Sequence, residues 1–119
     1  MATRDTPRME FLQGTLDVLI LRTLLFGPNH GHAIAKHIQR TSEDQLQVET
    51  GSLYPALHRL EGRGLVEAGW ELAETGKRAK YYRLTPKGRK ELQKERSKWE
   101  AFARAMGLVL NAPEEEDPA

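Results

Sequence analysis

The chain has 119 residues, of which 29% are charged and 39% are hydrophobic, a balance typical of one soluble globular domain. It contains no cysteine, which excludes disulfide bonds, thiolate catalysis and cysteine-based metal sites and is consistent with a cytoplasmic location. The formal net charge is only +1, but eleven of the 18 Lys and Arg residues lie between residues 77 and 104. An acidic tail at residues 114–117 offsets them, so the folded part of the chain is predicted to be basic.

The N-terminal half is predicted to contain a flexible arm and two helices. Residues 1–13 show no apolar periodicity and are expected to form the arm. From Thr15, which suits an N-cap, apolar residues recur at helical spacing until a Gly-Pro-Asn turn ends the first helix. A second helix is predicted over residues 30–40, and a polar connection over residues 42–49 follows it.

The third predicted helix ends at Gly64 and has one apolar and one polar face. The apolar positions recur at helical spacing and are Leu53, Ala56, Leu57 and Leu60. The opposite face is small, polar or basic and consists of Gly51, Ser52, Pro55, His58 and Arg59. Such a helix packs on one side and presents hydrogen-bonding groups on the other, as a DNA-reading helix does.

Two strands, residues 65–72 and 79–85, are predicted to form a hairpin with Gly76 at its tip. Three basic residues surround that tip: Lys77, Arg78 and Lys80. Three helices, a hairpin and a further helix are the layout of a winged helix-turn-helix domain. The sequence therefore predicts a mainly α (α+β) fold with this DNA-binding domain over residues 14–85.

A long final helix is predicted over residues 86–110, because Thr85 and Pro86 suit its N-cap and first helical position. A seam of apolar residues runs along a surface otherwise crowded with charge, and its members are Leu92, Trp99, Phe102, Met106 and Val109. We expect this seam to form a homodimer interface or an effector pocket; the alternative is that the helix folds back on its own domain. Residues 111–119 are predicted to be a disordered acidic tail.

Five short motifs resemble those of a known family of proteins. They are residues 14–21 (GTLDVLIL), residues 27–31 (GPNHG), residues 51–57 (GSLYPAL), Glu61 with Gly64 and Leu65, and residues 81–88 (YYRLTPKG). The chain resembles the PadR family of bacterial transcriptional regulators, in its short branch with a single C-terminal helix. The resemblance extends over residues 14–92. It implies a homodimeric repressor that binds an inverted-repeat operator in double-stranded DNA and is released by a small aromatic or cationic effector.

Nine residues of the third helix and the hairpin are predicted to contact DNA: Thr50, Ser52, Tyr54, Pro55, His58, Arg59, Lys77, Arg78 and Lys80. The start of the third helix would approach base edges in the major groove, and the basic hairpin would contact phosphates. Each assignment has a simpler structural alternative. Ser52 could cap the helix, Tyr54 could be a half-buried core residue, and Arg59 could be a solvated surface residue.

Other functions are less well supported by the sequence. His30, His32 and His37 lack the spacing of strong metal motifs, so neither a metal nor another cofactor is expected. An enzyme is excluded on its motifs, since the sequence has no nucleophile–base pair and no phosphate-binding glycine loop. The apolar run at residues 18–21 is too short to cross a membrane. The alternative function is a winged-helix protein–protein interaction module whose basic face binds an acidic partner.

Overall fold

The structure is a computed structural model that describes the backbone of residues 5–114 and the side chains of residues 14–114. Within that range it contains four helices and a three-stranded sheet. In chain order the elements are α1 (Asp5–Leu24), β1 (Asn29–His30), α2 (Gly31–Thr41), α3 (Thr50–Gly62), β2 (Val66–Leu72), β3 (Arg78–Leu84) and α4 (Pro86–Leu110). This order confirms the predicted mainly α, winged helix-turn-helix fold with a long C-terminal helix.

The first helix begins earlier than the sequence predicts. α1 starts at Asp5, so the predicted flexible arm is wrong from that residue onward, and Thr15 lies inside the helix. The remainder of the predicted arm, residues 1–4, falls outside the described residues, as do residues 115–119 of the predicted tail. Pro7 lies in the first turn of α1, where the N–H that proline lacks would have no helical partner. Pro7 therefore does not prevent the helix from starting at Asp5, although residues 5–13 show no apolar periodicity.

The three N-terminal helices and the sheet enclose one hydrophobic core. Its buried side chains come from α1, α2, α3, α4 and the hairpin and are Ile20, Leu21, Leu24, Ile34, Ile38, Leu53, Ala56, Leu57, Leu60, Leu65, Val66, Tyr82 and Leu92. All four residues of the predicted apolar face of α3 are among them. The core therefore holds α3 by one face and leaves the opposite face outside.

The sheet places β3 in the middle, antiparallel to both neighbours. β2 and β3 form the predicted hairpin, in which Val66 lies opposite Leu84 and Leu72 opposite Arg78. The third strand, β1, was not predicted, since two residues are too few to show an alternating pattern. Its pairing with β3 fixes the start of α2 against the hairpin.

Gly64 ends α3 as the sequence predicts. Its φ of 75° is the left-handed conformation that glycine adopts without a steric cost. The Gly64 N–H donates to the carbonyl of Glu61 at 3.0 Å, and the Leu65 N–H donates to the carbonyl of Leu60 at 2.9 Å. This pair of bonds is a Schellman motif, which turns the chain directly from α3 into β2.

Thr85 joins the end of α3 to the start of α4. Its hydroxyl donates to the carbonyl of Gly64 at 2.7 Å and accepts from the N–H of Gly88 at 2.9 Å, which confirms its predicted capping role. Its own N–H donates to the carbonyl of Leu65 at 3.1 Å. We refer to these contacts among Gly64, Leu65, Thr85 and Gly88 as the Thr85 junction. The junction holds the base of the hairpin between the two helices.

Leu92 lies in the core of its own chain, where it is only 4% exposed. Its predicted place in a dimer interface or effector pocket is therefore wrong. The first turns of α4 pack against α1 and β3, and Leu92 is on the side of the helix that meets them. From Trp99 onward the apolar side chains of α4 are exposed, so the folding-back alternative applies to the first part of the helix only.

Gly88→Ala is expected to lower the free energy of unfolding by about 1–3 kcal/mol, because a Cβ at this position would overlap the carbonyl oxygen of Leu65. Urea denaturation measures the change. The control is Gly62→Ala, where a Cβ meets nothing within 4 Å, and which should stabilise α3 by up to about 1 kcal/mol. Equal stability of Gly88→Ala and the wild type would contradict the close packing of the Thr85 junction.

Candidate nucleic-acid interface

The exposed face of α3 contains most of the residues predicted to read DNA. Thr50, Ser52, Pro55 and His58 are all exposed. They occupy the first part of the helix, beginning at its first residue. None of them carries a bulky apolar group that would need to be covered. The structure thus presents a low, polar helix surface of the kind that fits a DNA major groove.

The N-terminus of α3 differs from those of α2 and α4. His30 caps α2 by accepting from the N–H of Ala33, and Thr85 caps α4 by accepting from the N–H of Gly88. The N-cap of α3, Glu49, makes no side-chain hydrogen bond to the helix. The first turn of α3 therefore keeps N–H groups that an external acceptor such as a phosphate can satisfy.

Tyr54 lies on the flank of α3 with its ring against the start of α2. A Cβ at Gly31 would come within 2.6 Å of the Tyr54 hydroxyl and 2.8 Å of its ring, so only glycine permits this contact. The side chain nevertheless remains 44% exposed. This half-buried position matches the structural alternative stated for Tyr54, while the exposed part of the side chain remains open beside the polar face of α3.

Arg59, which is predicted to lie on the exposed face of α3, is partly covered and forms an ion pair with α1. Its Nη2 lies 2.9 Å from Oδ1 of Asp17 in α1, and the two side chains are 38% and 22% exposed. Burial raises the pKa of Asp17, while the charge of Arg59 and its hydrogen bond lower it. Arg59 therefore fastens α3 to α1 through its Nη2.

The hairpin places Lys77 and Arg78 at its outer end, where both are exposed. Lys80 lies further in, on β3, and its Nζ is 3.7 Å from Oε1 of Glu61 on α3. This ion pair bridges a notch between the hairpin and α3 that contains Glu61, Lys80 and Tyr82. Burial, followed by the charge of Glu61, raises the pKa of Tyr82 in the same notch, so that phenol stays protonated and neutral.

The residues that sequence reasoning missed are the partners of the predicted ones. Asp17 and Glu61 are acidic residues at solvent-facing positions of predicted helices, and no sequence spacing indicates that they pair with Arg59 and Lys80. Trp70 was assigned only to a strand, yet its side chain is 60% exposed. The signal that could have found it is strand alternation, because residues 66 and 68 point inward and residue 70 continues that face beyond the core.

The second half of α4 carries the rest of the predicted apolar seam. The rings of Trp99 and Phe102 contact each other with centroids 5.8 Å apart. Met106 and Val109 follow at helical spacing, and both are exposed. Leu110, which the prediction did not include, extends the same side of the helix and is exposed as well.

The sequence predicts neither a metal site nor a membrane-spanning helix. Among the described side chains, no group of three or more His, Asp or Glu residues is placed to hold a metal ion. His30 caps α2 through its Nδ1 and also contacts the ring of Tyr81 edge-on. Across residues 5–114, none of the helices combines the length and the apolar character needed to span a bilayer.

Comparisons with known proteins match the chain to a family of regulators. The sequence model of the family described as "Transcriptional regulator PadR-like family" matches residues 20–94. A transcriptional regulator of Mycobacterium tuberculosis is 33% identical over 95 residues, which are 80% of this chain and 85% of that protein. A solved transcriptional regulator from Clostridium thermocellum has a TM-score of 0.74 at 31% identity, covering 82% of this chain and 95% of that one. A PadR family transcriptional regulator from Eggerthella lenta has a TM-score of 0.72 at 29% identity, covering 92% and 93% of the two chains.

Arg59→Met is expected to lower the free energy of unfolding by about 1 kcal/mol at pH 7, because it leaves the Asp17 carboxylate half-buried without its cation. A carboxyl whose folded pKa lies above its unfolded value favours the folded state at low pH, and this contribution is lost as the pH rises through the folded pKa. Losing Arg59 raises the folded pKa of Asp17 further. The destabilisation should therefore be smaller at pH 4 than at pH 7.

The matched control is Arg96→Met, whose ion pair with Glu100 has a length of 3.2 Å but joins two side chains that are more than half exposed. That variant should unfold like the wild type at both pH values, since exposed pairs contribute little. Denaturation at the two pH values measures all three proteins. A destabilisation of Arg59→Met that is equal at both pH values would show that Asp17 does not depend on Arg59.

Proposed function

The chain belongs to the PadR-like family of transcriptional regulators, and we propose that it acts as a homodimeric repressor that binds an inverted-repeat operator. The observations that carry this proposal are the exposed, uncapped start of α3 and the basic hairpin that the Lys80–Glu61 ion pair joins to the same helix. Reading DNA needs an exposed helix surface with hydrogen-bonding groups, because the duplex itself supplies the groove.

In the proposed complex, the first turns of α3 enter the major groove. Thr50, Ser52 and His58 would face base edges and phosphates, and Pro55 adds a flat contact between them. The N–H groups of the first turn that the Glu49 side chain does not cap would donate to a phosphate oxygen, which the positive end of the helix dipole favours. Arg59 would act indirectly by holding α3 at its angle to α1.

The hairpin would contact the sugar-phosphate backbone beside the groove that α3 enters. Lys77 and Arg78 at its outer end supply positive charge, and neither forms an ion pair with a side chain of residues 14–114. Tyr54 and Lys80 line the notch between hairpin and helix, where a phosphate strand separating two grooves would pass. Contacts to phosphates fix the register of the protein on the duplex and make its binding depend on salt.

The exposed seam of α4 would pair with the same seam of a second copy. Trp99, Phe102, Met106 and Val109 form a hydrophobic strip that a monomer would leave in water. A two-fold dimer presents two recognition helices about 34–36 Å apart, one turn of DNA, and so matches an inverted repeat. A small aromatic or cationic effector would enter this interface at Trp99 and change the spacing of the two helices.

The wild-type chain is expected to prefer one duplex enriched from a random library over its scrambled version, with an affinity that falls steeply with salt. The logarithm of the association constant should fall by about 0.9 per neutralised phosphate for each unit in the logarithm of salt concentration. Glu61→Gln should tighten binding by about threefold at low salt, since it releases Lys80 and removes a negative charge from the notch.

Fluorescence anisotropy measures these affinities. The control is Glu67→Gln, which removes the same charge from the opposite face of the hairpin and should leave binding unchanged. Equal and weak binding of both duplexes by the wild type would contradict specific DNA recognition and favour the protein–protein interaction module. Weaker binding by Glu61→Gln would show that the notch does not face the phosphates.

Met106→Glu is expected to convert the dimer into a monomer, because it places a charge in the centre of the exposed seam. Its folding should be unaffected, since this side chain is 45% exposed in the single chain and lies outside the core. Arg104→Glu is the control: it introduces the same side chain on the opposite side of α4 and should leave the dimer intact. Light scattering gives the masses and circular dichroism the helix content. A dimeric Met106→Glu protein would exclude the seam as the interface.

A further inference from the structure

The outer half of the hairpin carries an exposed tryptophan that the proposed function leaves unused. Residues directly opposite each other in an antiparallel pair share a face, and Trp70 lies opposite Lys80. The same face begins in the core at Val66 and Tyr82 and continues outward past Trp70 to Leu72 and Arg78. Trp70 is therefore on the side of the hairpin that meets α3, but beyond the reach of the core.

The two faces of the hairpin differ in charge. Both carboxylates of β2, Glu67 and Glu71, lie on the face turned away from α3, and Arg83 approaches Glu71 there at 4.0 Å. Two charged strand residues, Lys80 and Arg78, lie on the face of the hairpin that is turned toward α3, and both are basic. A polyanion in front of α3 would thus meet only positive charge from the strands on this side of the hairpin.

Arg78 and Trp70 form a stacked pair on this face. The guanidinium carbon of Arg78 lies 5.6 Å from the centre of the indole ring, within the range of a cation–π contact. The pair presents a flat apolar ring and a cation side by side. Duplex DNA offers the matching arrangement at the wall of its minor groove, where apolar deoxyribose faces alternate with phosphates.

We propose that Trp70 is a DNA-contacting residue that packs its indole against the deoxyribose wall of the minor groove next to the major groove read by α3, while Arg78 binds the adjoining phosphate. This inference rests on the proposed function, because α3 must occupy the major groove for the hairpin face to reach the next groove. It adds an apolar contact that is independent of salt. It also makes the site sensitive to the width of the minor groove beside each half-site.

The experiment compares three variants of the full chain on the duplex enriched by the wild type. Trp70→Ala should weaken binding by about tenfold, the scale of one lost aromatic contact with a nucleotide, and should leave the salt slope unchanged. Arg78→Met should weaken binding and also reduce the slope by about 0.9 for each lost phosphate contact. The control is Phe26→Ala, because Phe26 is also an exposed ring with an arginine, Arg22, stacked 4.6 Å away, but it follows α1 and lies beside His37 of α2. It should bind like the wild type.

Two further readouts locate the indole. Trp70 is one of the two tryptophans of the chain, so the change in tryptophan emission that DNA causes in the wild type should disappear in Trp70→Phe. Replacing adenine with 2,6-diaminopurine beside the half-sites adds an amino group to the minor groove only. This replacement should weaken wild-type binding and have no effect on Trp70→Ala.

The outcomes separate the two proposals. If the wild type binds its duplex with a salt slope but Trp70→Ala binds equally well, the inference about Trp70 fails and the proposed function stands. If Trp70→Ala loses dimer mass instead of DNA affinity, the face is a protein contact and the inference also fails. If the wild type enriches no duplex at all, both proposals fail together.

Discussion

The arrangement of the DNA-facing elements depends on one buried threonine. The Thr85 hydroxyl donates to the carbonyl of Gly64, just after α3, and accepts from the N–H of Gly88 in the first turn of α4. The Thr85 N–H donates to the carbonyl of Leu65 and so closes the base of the hairpin. Gly88 allows the two helices to meet there, since any side chain would collide with the Leu65 backbone. The angle of the hairpin to α3 and the direction in which α4 leaves the domain are thus set together at a single junction.

This junction has a consequence for how a dimer would respond to an effector. If two copies pair through the second halves of α4, each helix is joined through the Thr85 junction to its own α3 and hairpin. A ligand that changes the angle between the two α4 helices would then move both recognition helices, because the junction leaves no flexible segment between them. The ligand would need only a difference in affinity between the two angles to shift the dimer away from its operator.

Sequence patterns identified the elements well where one physical cause dominates. The apolar face of α3, the Gly64 stop and the Thr85-Pro86 helix start follow from side-chain spacing and backbone chemistry alone, and all three are present in the structure. The errors arise where distant parts of the chain meet. Leu92 has the same heptad spacing as Trp99, yet the packing of the start of α4 against α1 and β3 buries one and leaves the other exposed. Arg59 looks free in sequence, because Asp17 lies 42 positions away.

The central claim is that α3 and the outer hairpin form the surface that binds DNA. Amide hydrogen exchange of the full chain, with and without the enriched duplex, tests it most directly because it locates the contact without any mutation. If α3 and the outer hairpin bind DNA, amide exchange at residues 50–58 and 76–80 should slow on adding DNA, and exchange in the second half of α4 should not change. Slower exchange confined to residues 99–110, with α3 and the hairpin unaffected, would contradict it.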